Sequence, residues 1–219
     1  ALGHVFLPKR TLVAEAARLL EAPADLVAAA ADRLCERRAI IPEPLPGGDV
    51  ALFSQRLHSA EVAVTEKLRA ILAVRDSPLR ATPATLLARV QGELGLELAR
   101  EQKTALLNSL TSRVLVVTGG PGTGKTTIVR GILSLFQRVG REVELAAPTG
   151  RASRRLAEAA RAEARTLHRL LEWSPKENGF LRNDECPLDC DAVIVDEASM
   201  VDLLLFEALL LALPPKSWL

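Results

Sequence analysis

Val114 to Thr127 reads VLVVTGGPGTGKTT, an apolar run, a glycine-rich turn, then Lys-Thr-Thr leading into a helical pattern. The turn, Gly119-Gly120-Pro121-Gly122-Thr123-Gly124-Lys125-Thr126, satisfies G-x4-G-K-[ST] in full. Such a match carries chemical meaning only between a strand and a helix. That is the expected context here, with a buried strand at Val114–Thr118 and a helix from Lys125 to about Val139. The glycines let backbone N–H groups turn inward around phosphates, and the helix N-terminus adds partial positive charge. The spacing therefore predicts a nucleotide-phosphate cradle of Gly120, Pro121, Gly122, Thr123, Gly124, Lys125, Thr126 and Thr127. Lys125 reaches the β/γ-phosphates and Thr126 ligates Mg²⁺.

Downstream, Glu142–Ala147 and Ala192–Asp196 read as further strands, with a helix at 150–164 between them. Strands alternating with helices predict a parallel α/β sheet. Val193-Ile194-Val195-Asp196-Glu197 ends in two carboxylates, and strand ends at that edge of a parallel sheet face the ligand crevice. Asp196 is the expected Mg²⁺ ligand, and Glu197 the group that polarises the attacking water. Upstream, Thr82-Pro83 opens a helix closed by Gly95, and Leu98–Leu110 forms another.

The segment before Asp76-Ser77-Pro78 has a different grain. Helices are expected at Thr11–Leu20 and Ala24–Glu36. A turn over Pro42–Asp49 then joins two apolar flanks, Ala39–Ile41 and Val50–Phe53, as a short hairpin. A long helix at Ser54–Val74 follows, with Leu57, Glu61, Val64 and Leu68 at helical spacing. Helix, helix, hairpin is the order of a winged-helix-like module. Residues 1–78 are thus expected as one domain and 79–219 as a second.

Bulk properties set limits. The 219 residues include 28 Lys+Arg against 27 Asp+Glu, so total charge neither favours nor excludes nucleic acid. Aromatic residues make up 3%, so the core must be built from Ala, Leu and Val. Cys35, Cys186 and Cys190 are too few and odd in number for a disulfide framework. Cys186 and Cys190 have the spacing of half a zinc site, but His168 stands alone nearby, so ordinary loop cysteines are expected. The longest apolar run, Leu203–Leu213, is short and broken by Glu207. No membrane span or signal peptide is expected, and a cytoplasmic location follows.

Together the motifs resemble the superfamily 1 DNA helicases, in particular the RecD/TraA-like branch and its longer bacterial RecD-like members. Arg100-Glu101-Gln102 resembles the Q-motif, whose Gln reads adenine. Pro148-Thr149-Gly150-Arg151-Ala152 resembles motif Ia, which grips single-stranded DNA backbone. Thr166-Leu167-His168-Arg169-Leu170-Leu171 and Asp196–Asp202 match two further segments of that branch. Gly3–Pro8 and Leu57–Glu61 resemble the region just before its motor. The resemblance implies an incomplete RecA-like lobe behind a small helical module. It implies ATP and Mg²⁺ as cofactors, single-stranded DNA as partner, 5′ to 3′ movement, and other DNA-repair subunits as possible associates.

Gln102, Thr149, Gly150, Arg151 and His168 are the contacts it carries over, with His168 a structural or phosphate-contacting residue rather than a base. Thr149-Gly150 also reads as a plain helix cap. Lys176–Phe180 contains Asn-Gly, a hairpin signal. In such motors a hairpin there can separate strands, or it can be a surface hairpin that touches nothing, with Trp173 and Phe180 packing it or stacking on bases. The family's motif III and second lobe with its arginine finger lie outside this sequence. The expectation is a fragment that alone binds nucleotide weakly and hydrolyses it poorly. The competing reading is a nucleotide-gated DNA-binding or scaffolding module, AAA+-like or a RecD-like subunit that does not unwind.

Overall fold

The computed structural model describes residues 3–74, 82–120 and 122–219. The expected boundary at Asp76–Pro78 and the loop residue Pro121 lie outside them. The chain divides into two compact units, residues 1–65 with 202–207, and residues 66–201 with 208–219.

In the first unit β1 (Phe6–Pro8), α1 (Lys9–Leu20), α2 (Ala24–Glu36), β2 (Ile40–Pro44) and β3 (Val50–Ser54) follow in order. The expected helix–helix–hairpin sequence is present. Two details differ. Phe6–Pro8 supplies a third strand, giving an antiparallel sheet in the order β1-β3-β2. β2 also extends through Pro42 and Pro44, which were expected in the turn, pairing them with Leu52 and Val50. Proline has no N–H to give to a ladder, so a strand tolerates it only at an edge, and β2 is an edge strand. Ala51, Leu52 and Phe53 of the central strand are buried, as are Val27 and Ala31 of α2. Phe6 packs against Phe53 with ring centroids 5.1 Å apart, and the His58 ring meets Phe53 edge-on. His58 Nε2 lies 2.7 Å from Glu43 Oε1.

Helix α3 (Gln55–Ala73) follows, then α4 (Pro83–Leu94) and α5 (Arg100–Thr111). Thr82 caps α4 as expected, its hydroxyl accepting from Thr85 N–H, and Gly95 ends it in the left-handed conformation. The second unit continues with α6 (Lys125–Arg138), β4 (Val143–Ala147), α7 (Gly150–Ala160), β5 (Arg165–Thr166) and α8 (Leu167–Leu170). A small hairpin of β6 (Trp173–Ser174) and β7 (Gly179–Phe180) precedes β8 (Ala192–Val195), a 3-10 turn at Ala198–Met200 and α9 (Leu203–Ala212). Helix α7 stops short of the expected Ala164. Arg161 turns left-handed at φ 55°, and its N–H bonds back to Ala157 O.

The sheet of this unit runs β5-β4-β8, with both pairs parallel. Beyond β8 the ladder continues through the last residues of the sequence. Trp218 N–H donates to Asp191 O and Val193 N–H to Trp218 O, both at 2.9 Å. Leu219 N–H donates to Arg113 O and Leu115 N–H to Leu219 O, both at 2.8 Å. That alternation is the signature of a parallel pair. The sheet order is therefore β5, β4, β8, 218–219, then the segment entering the glycine-rich loop.

Val114–Thr118 was expected to be a buried strand. Among the described residues its backbone bonds only to Leu219, so no regular strand forms. Leu115 and Val117 pack on the core, whereas Val116 is 80% exposed. Alternate residues of an extended chain face opposite sides, and only one side is covered.

The core holds the helix that follows the loop. Leu86, Val90, Leu98, Leu106 and Leu110 from α4, α5 and their junction pack with Ile128, Ile132, Leu135 and Phe136 of α6. On another side, Leu133 of α6 meets Leu145, Leu156 and Ala160. Helix α6 is thus buried along two faces. Leu106 approaches Gly131 so closely that a Cβ there would lie 2.7 Å from its Cδ2. Glu93 of α4 ties to Ser134 and Arg138 of α6, whose hydroxyl and guanidinium hold its carboxyl below the ordinary value.

One interior feature had no sequence signal. Trp218 lies between the guanidinium groups of Arg113 and Arg141, 3.5 and 3.3 Å from its ring centroid, with its edge toward Phe136. Arg113 is buried and also donates to Lys216 O. These contacts close the edge of the sheet where the parallel strands begin.

Candidate nucleotide and nucleic-acid site

The opposite edge is where the motif residues gather. Because β4, β5, β8 and the 114–118 segment run parallel, the residues following each emerge on one side of the sheet. These are Gly119–Thr126, Pro148–Thr149, Thr166–His168 and Asp196–Glu197. Topology alone brings together four segments well separated in sequence.

In the glycine-rich loop Gly122 and Gly124 take φ values of 76° and 82°, a region that side chains with a Cβ rarely enter. Gly124 is the residue from which α6 starts. Lys125 Nζ donates to Gly119 O at 2.6 Å and Gly120 O at 3.0 Å, so its charge is held within the loop. Thr123 Oγ1 donates to Gly120 O at 2.9 Å. Thr126 is exposed and Thr127 half-buried at the start of α6.

Gln102 sits beside this loop. Its Oε1 accepts from Ala99 N–H at 2.9 Å, and its Nε2 donates to Thr123 O at 3.3 Å. Ala99 has no side-chain oxygen to complete a capping box, so Gln102 alone caps the start of α5. Each amide atom keeps capacity for one further hydrogen bond.

Asp196 follows β8, with its N–H on Ala146 O and its Oδ1 accepting from Glu197 N–H at 2.9 Å. Glu197 is exposed and left-handed at φ 53°, launching the 3-10 turn at Ala198. A non-glycine residue held there is a local strain that the surrounding fold must maintain. The Thr126 hydroxyl and the Asp196 carboxylate are hard oxygen donors, the kind that Mg²⁺ prefers. The residues present thus fit a Mg²⁺–nucleotide.

At the start of α7, Thr149 Oγ1 accepts from Ala152 N–H at 3.2 Å, and Thr149 O accepts from Ser153 N–H. The cap leaves the first-turn N–H groups of Gly150 and Arg151 without an intrahelical partner. Arg151, Arg154, Arg155, Arg161 and Arg169 are exposed. Arg165 is instead committed to Glu163 at 2.9 Å and Glu144 at 3.7 Å, which raise its already high pKa.

His168 packs its ring against Phe180 at 5.7 Å and Trp173 at 6.4 Å, and these two meet at 4.9 Å. The hairpin expected from Asn-Gly is present, with Trp173 opposite Phe180 and Asn178 left-handed at φ 47°. Arg182 braces its base, 2.9 Å from Glu172 Oε1 and 3.2 Å from Pro187 O.

The two nearby cysteines differ. Cys186 is exposed, whereas burial, helped by the carboxylates of Glu144 and Asp191, pushes the Cys190 thiol up to about 12. At about pH 8 such a thiol is ionised to roughly one part in 10⁴. Iodoacetamide should therefore label Cys186 well before Cys190, as read by peptide mass spectrometry. Equal labelling would contradict the burial of Cys190. Among the described residues no group of three or more His, Cys, Asp or Glu side chains is gathered to hold a metal ion. No helix among them is long and apolar enough to cross a membrane.

The family model described as an AAA domain matches residues 102–219. The chain is 45% identical over 118 residues to the ATP-dependent RecD2 DNA helicase of Deinococcus radiodurans, covering 54% of this chain and 16% of that protein. It is 37% identical over 141 residues to the RecBCD enzyme subunit RecD of Mycolicibacterium smegmatis, covering 53% and 26%. It is also 37% identical over 107 residues to the ATP-dependent DNA helicase dda of Enterobacteria phage T4, covering 46% and 24%. The matched region thus spans about a quarter or less of the length of these relatives.

Proposed function

The chain belongs to the AAA domain family, and on that footing we propose that it supplies the nucleotide-binding lobe of an ATP-dependent DNA helicase of RecD type. The observation that carries this reading is the convergence of the four segments on one edge of the parallel sheet.

In this reading the backbone N–H groups of Gly122–Thr126 and the Lys125 ammonium bind the phosphates. Thr126 and Asp196 hold Mg²⁺, which neutralises charge on the transferring phosphate. Glu197 accepts the proton of the attacking water, and Gln102 offers its remaining donor and acceptor to adenine. The module before about residue 78 is a separate domain. The first-turn N–H groups of α7, with Thr149, Gly150 and Arg151 and the neighbouring His168, hold single-strand phosphates. Movement is 5′ to 3′, in a cytoplasmic protein, and the likeness to a RecBCD subunit extends the proposal to other DNA-repair subunits as partners.

The full-length protein should hydrolyse ATP faster with single-stranded DNA present, and should separate a duplex carrying a 5′ overhang. Unwinding only from a 3′ overhang would overturn the polarity. Absence of both DNA stimulation and unwinding would favour a binding or scaffolding role.

A narrower test concerns α7. Thr149→Val with Arg151→Ala should weaken single-strand binding and reduce the slope of log K against log salt by about 0.7, one phosphate contact. The loss should be the same for different base compositions, because phosphates carry no direct sequence information. ATP affinity without DNA should stay within about twofold. Anisotropy titrations at two salt concentrations decide it. Wild-type binding with an unchanged slope would make these residues a cap and nothing more.

A further inference from the structure

From the two hydrogen bonds of the Gln102 amide, we propose that Gln102 is a positioning residue for the phosphate loop itself, acting independently of the base. The proposal rests on the reading of Gly119–Thr126 as a nucleotide-phosphate site.

The geometry dictates which end of the amide faces which partner. Ala99 N–H is a donor and requires Oε1, found at 2.9 Å. Thr123 O is an acceptor and requires the NH₂ group, found at 3.3 Å. The two partners fix the amide orientation, because the Gln amide offers an acceptor and a donor on separate atoms. The loop residue it holds lies between Gly122 and Gly124, the two left-handed glycines of the turn. Those glycines give the loop its shape and leave its backbone with little intrinsic stiffness.

The amide also presses on the next residue. A Cβ on Gly124 would lie 2.3 Å from Gln102 Nε2. Glycine at 124 is required by its φ of 82°, and a side chain there would also have to push the Gln102 amide aside. The holding side chain is itself well seated. Helix α5 contributes the buried Leu106 and Leu110, and Leu98 just before it is 2% exposed. A rigid helix therefore grips the middle of a glycine-rich turn through one side chain. The entropy of ordering that turn is met in part before a phosphate arrives, which raises affinity.

Base reading and loop positioning make different demands on the ligand. A base contact needs adenine, whereas a positioned loop favours any triphosphate. Gln102→Glu separates the two bonds of the amide. It keeps the acceptor for Ala99 N–H, so α5 stays capped, but it offers no donor to Thr123 O. Gln102→Ala removes both bonds.

The experiment measures Mg²⁺-dependent binding of ATP, GTP and inorganic tripolyphosphate by calorimetry for wild type and both variants, with thermal unfolding recorded in parallel. Loss of one neutral hydrogen bond predicts that Gln102→Glu weakens tripolyphosphate binding by about three- to tenfold, with a melting temperature close to wild type. GTP should weaken by a similar factor, and ATP by that factor or more. Tripolyphosphate affinity within twofold of wild type in both variants would overturn the positioning role, whatever happens to ATP. Failure of wild type to bind any of the three would instead overturn the phosphate-site reading.

Discussion

Lys125→Ala should lower ATP turnover by the full-length protein by about 10³-fold or more, since preorganised charge aimed at a developing phosphoryl charge is worth about 10²–10³ per group and Lys125 carries a full positive charge. Its ammonium is already drawn into the loop by the carbonyls of Gly119 and Gly120, so it is placed among the groups that would surround the β- and γ-phosphates. The variant should still fold. Helix α6 is held by Ile128, Ile132, Leu135 and Phe136 on one face and Leu133 on another, none of which touches the ammonium's role. Steady-state ATPase at saturating DNA, with thermal unfolding as control, gives the answer. Turnover within about tenfold of wild type in a normally folded variant would remove the phosphate role from this lysine.

Glu197→Gln should leave ATP bound and nearly unhydrolysed. The amide keeps the size of the side chain but cannot take a proton from water, and a positioned general base contributes about 10²–10⁴ in rate. The two neighbouring carboxylates are set up differently. Asp196 is pinned, with Oδ1 accepting from Glu197 N–H and its own N–H on the β4 backbone, which suits a fixed metal ligand. Among the described residues the Glu197 carboxylate makes no hydrogen bond or ion pair, and it is exposed where the backbone turns left-handed, which leaves it free to meet a water. Asp196→Asn should accordingly weaken Mg²⁺-dependent ATP binding, while Glu197→Gln should not. The measurements are equilibrium ATP binding with and without Mg²⁺, and single-turnover hydrolysis. Lost binding in Glu197→Gln alongside merely slowed turnover in Asp196→Asn would exchange the two roles.

The parts of the site legible in sequence are those whose chemistry is local. Gly122 and Gly124 stand where the loop needs φ above zero, Lys125 where the helix begins, and Asp196 where an apolar run ends. Each could be read from its neighbours. Thr82 and Gly95 are legible for the same reason, since a cap is a short-range hydrogen bond. Boundaries set by tertiary partners were not. Pro42 and Pro44 look like turn residues until β2 is seen to be an edge strand. Arg161 ends α7 without the glycine that usually marks such an ending. Arg165–Thr166 is too short to show alternation and becomes a strand only through its bonds to β4. Val114–Thr118 has strand composition, yet among the described residues its backbone bonds only to Leu219. The Gln102–Thr123 bond joins residues on different elements, and Arg113, Arg141 and Trp218 come from three places with no shared periodicity.

That last cluster carries a consequence for how the protein is made. Arg113 donates to Lys216 O, 103 residues further along, and the backbone at Leu115 reaches Leu219. On a ribosome adding about 5–20 residues per second, roughly 5–20 s separate the emergence of the two ends of that contact. Throughout that interval the apolar segment leading into the phosphate loop lacks its partner strand and its Arg–Trp–Arg clasp. The nascent chain thus exposes an unpaired strand edge with Val114, Leu115, Val116 and Val117 on it, a stretch suited to capture by a chaperone that recognises extended apolar peptides.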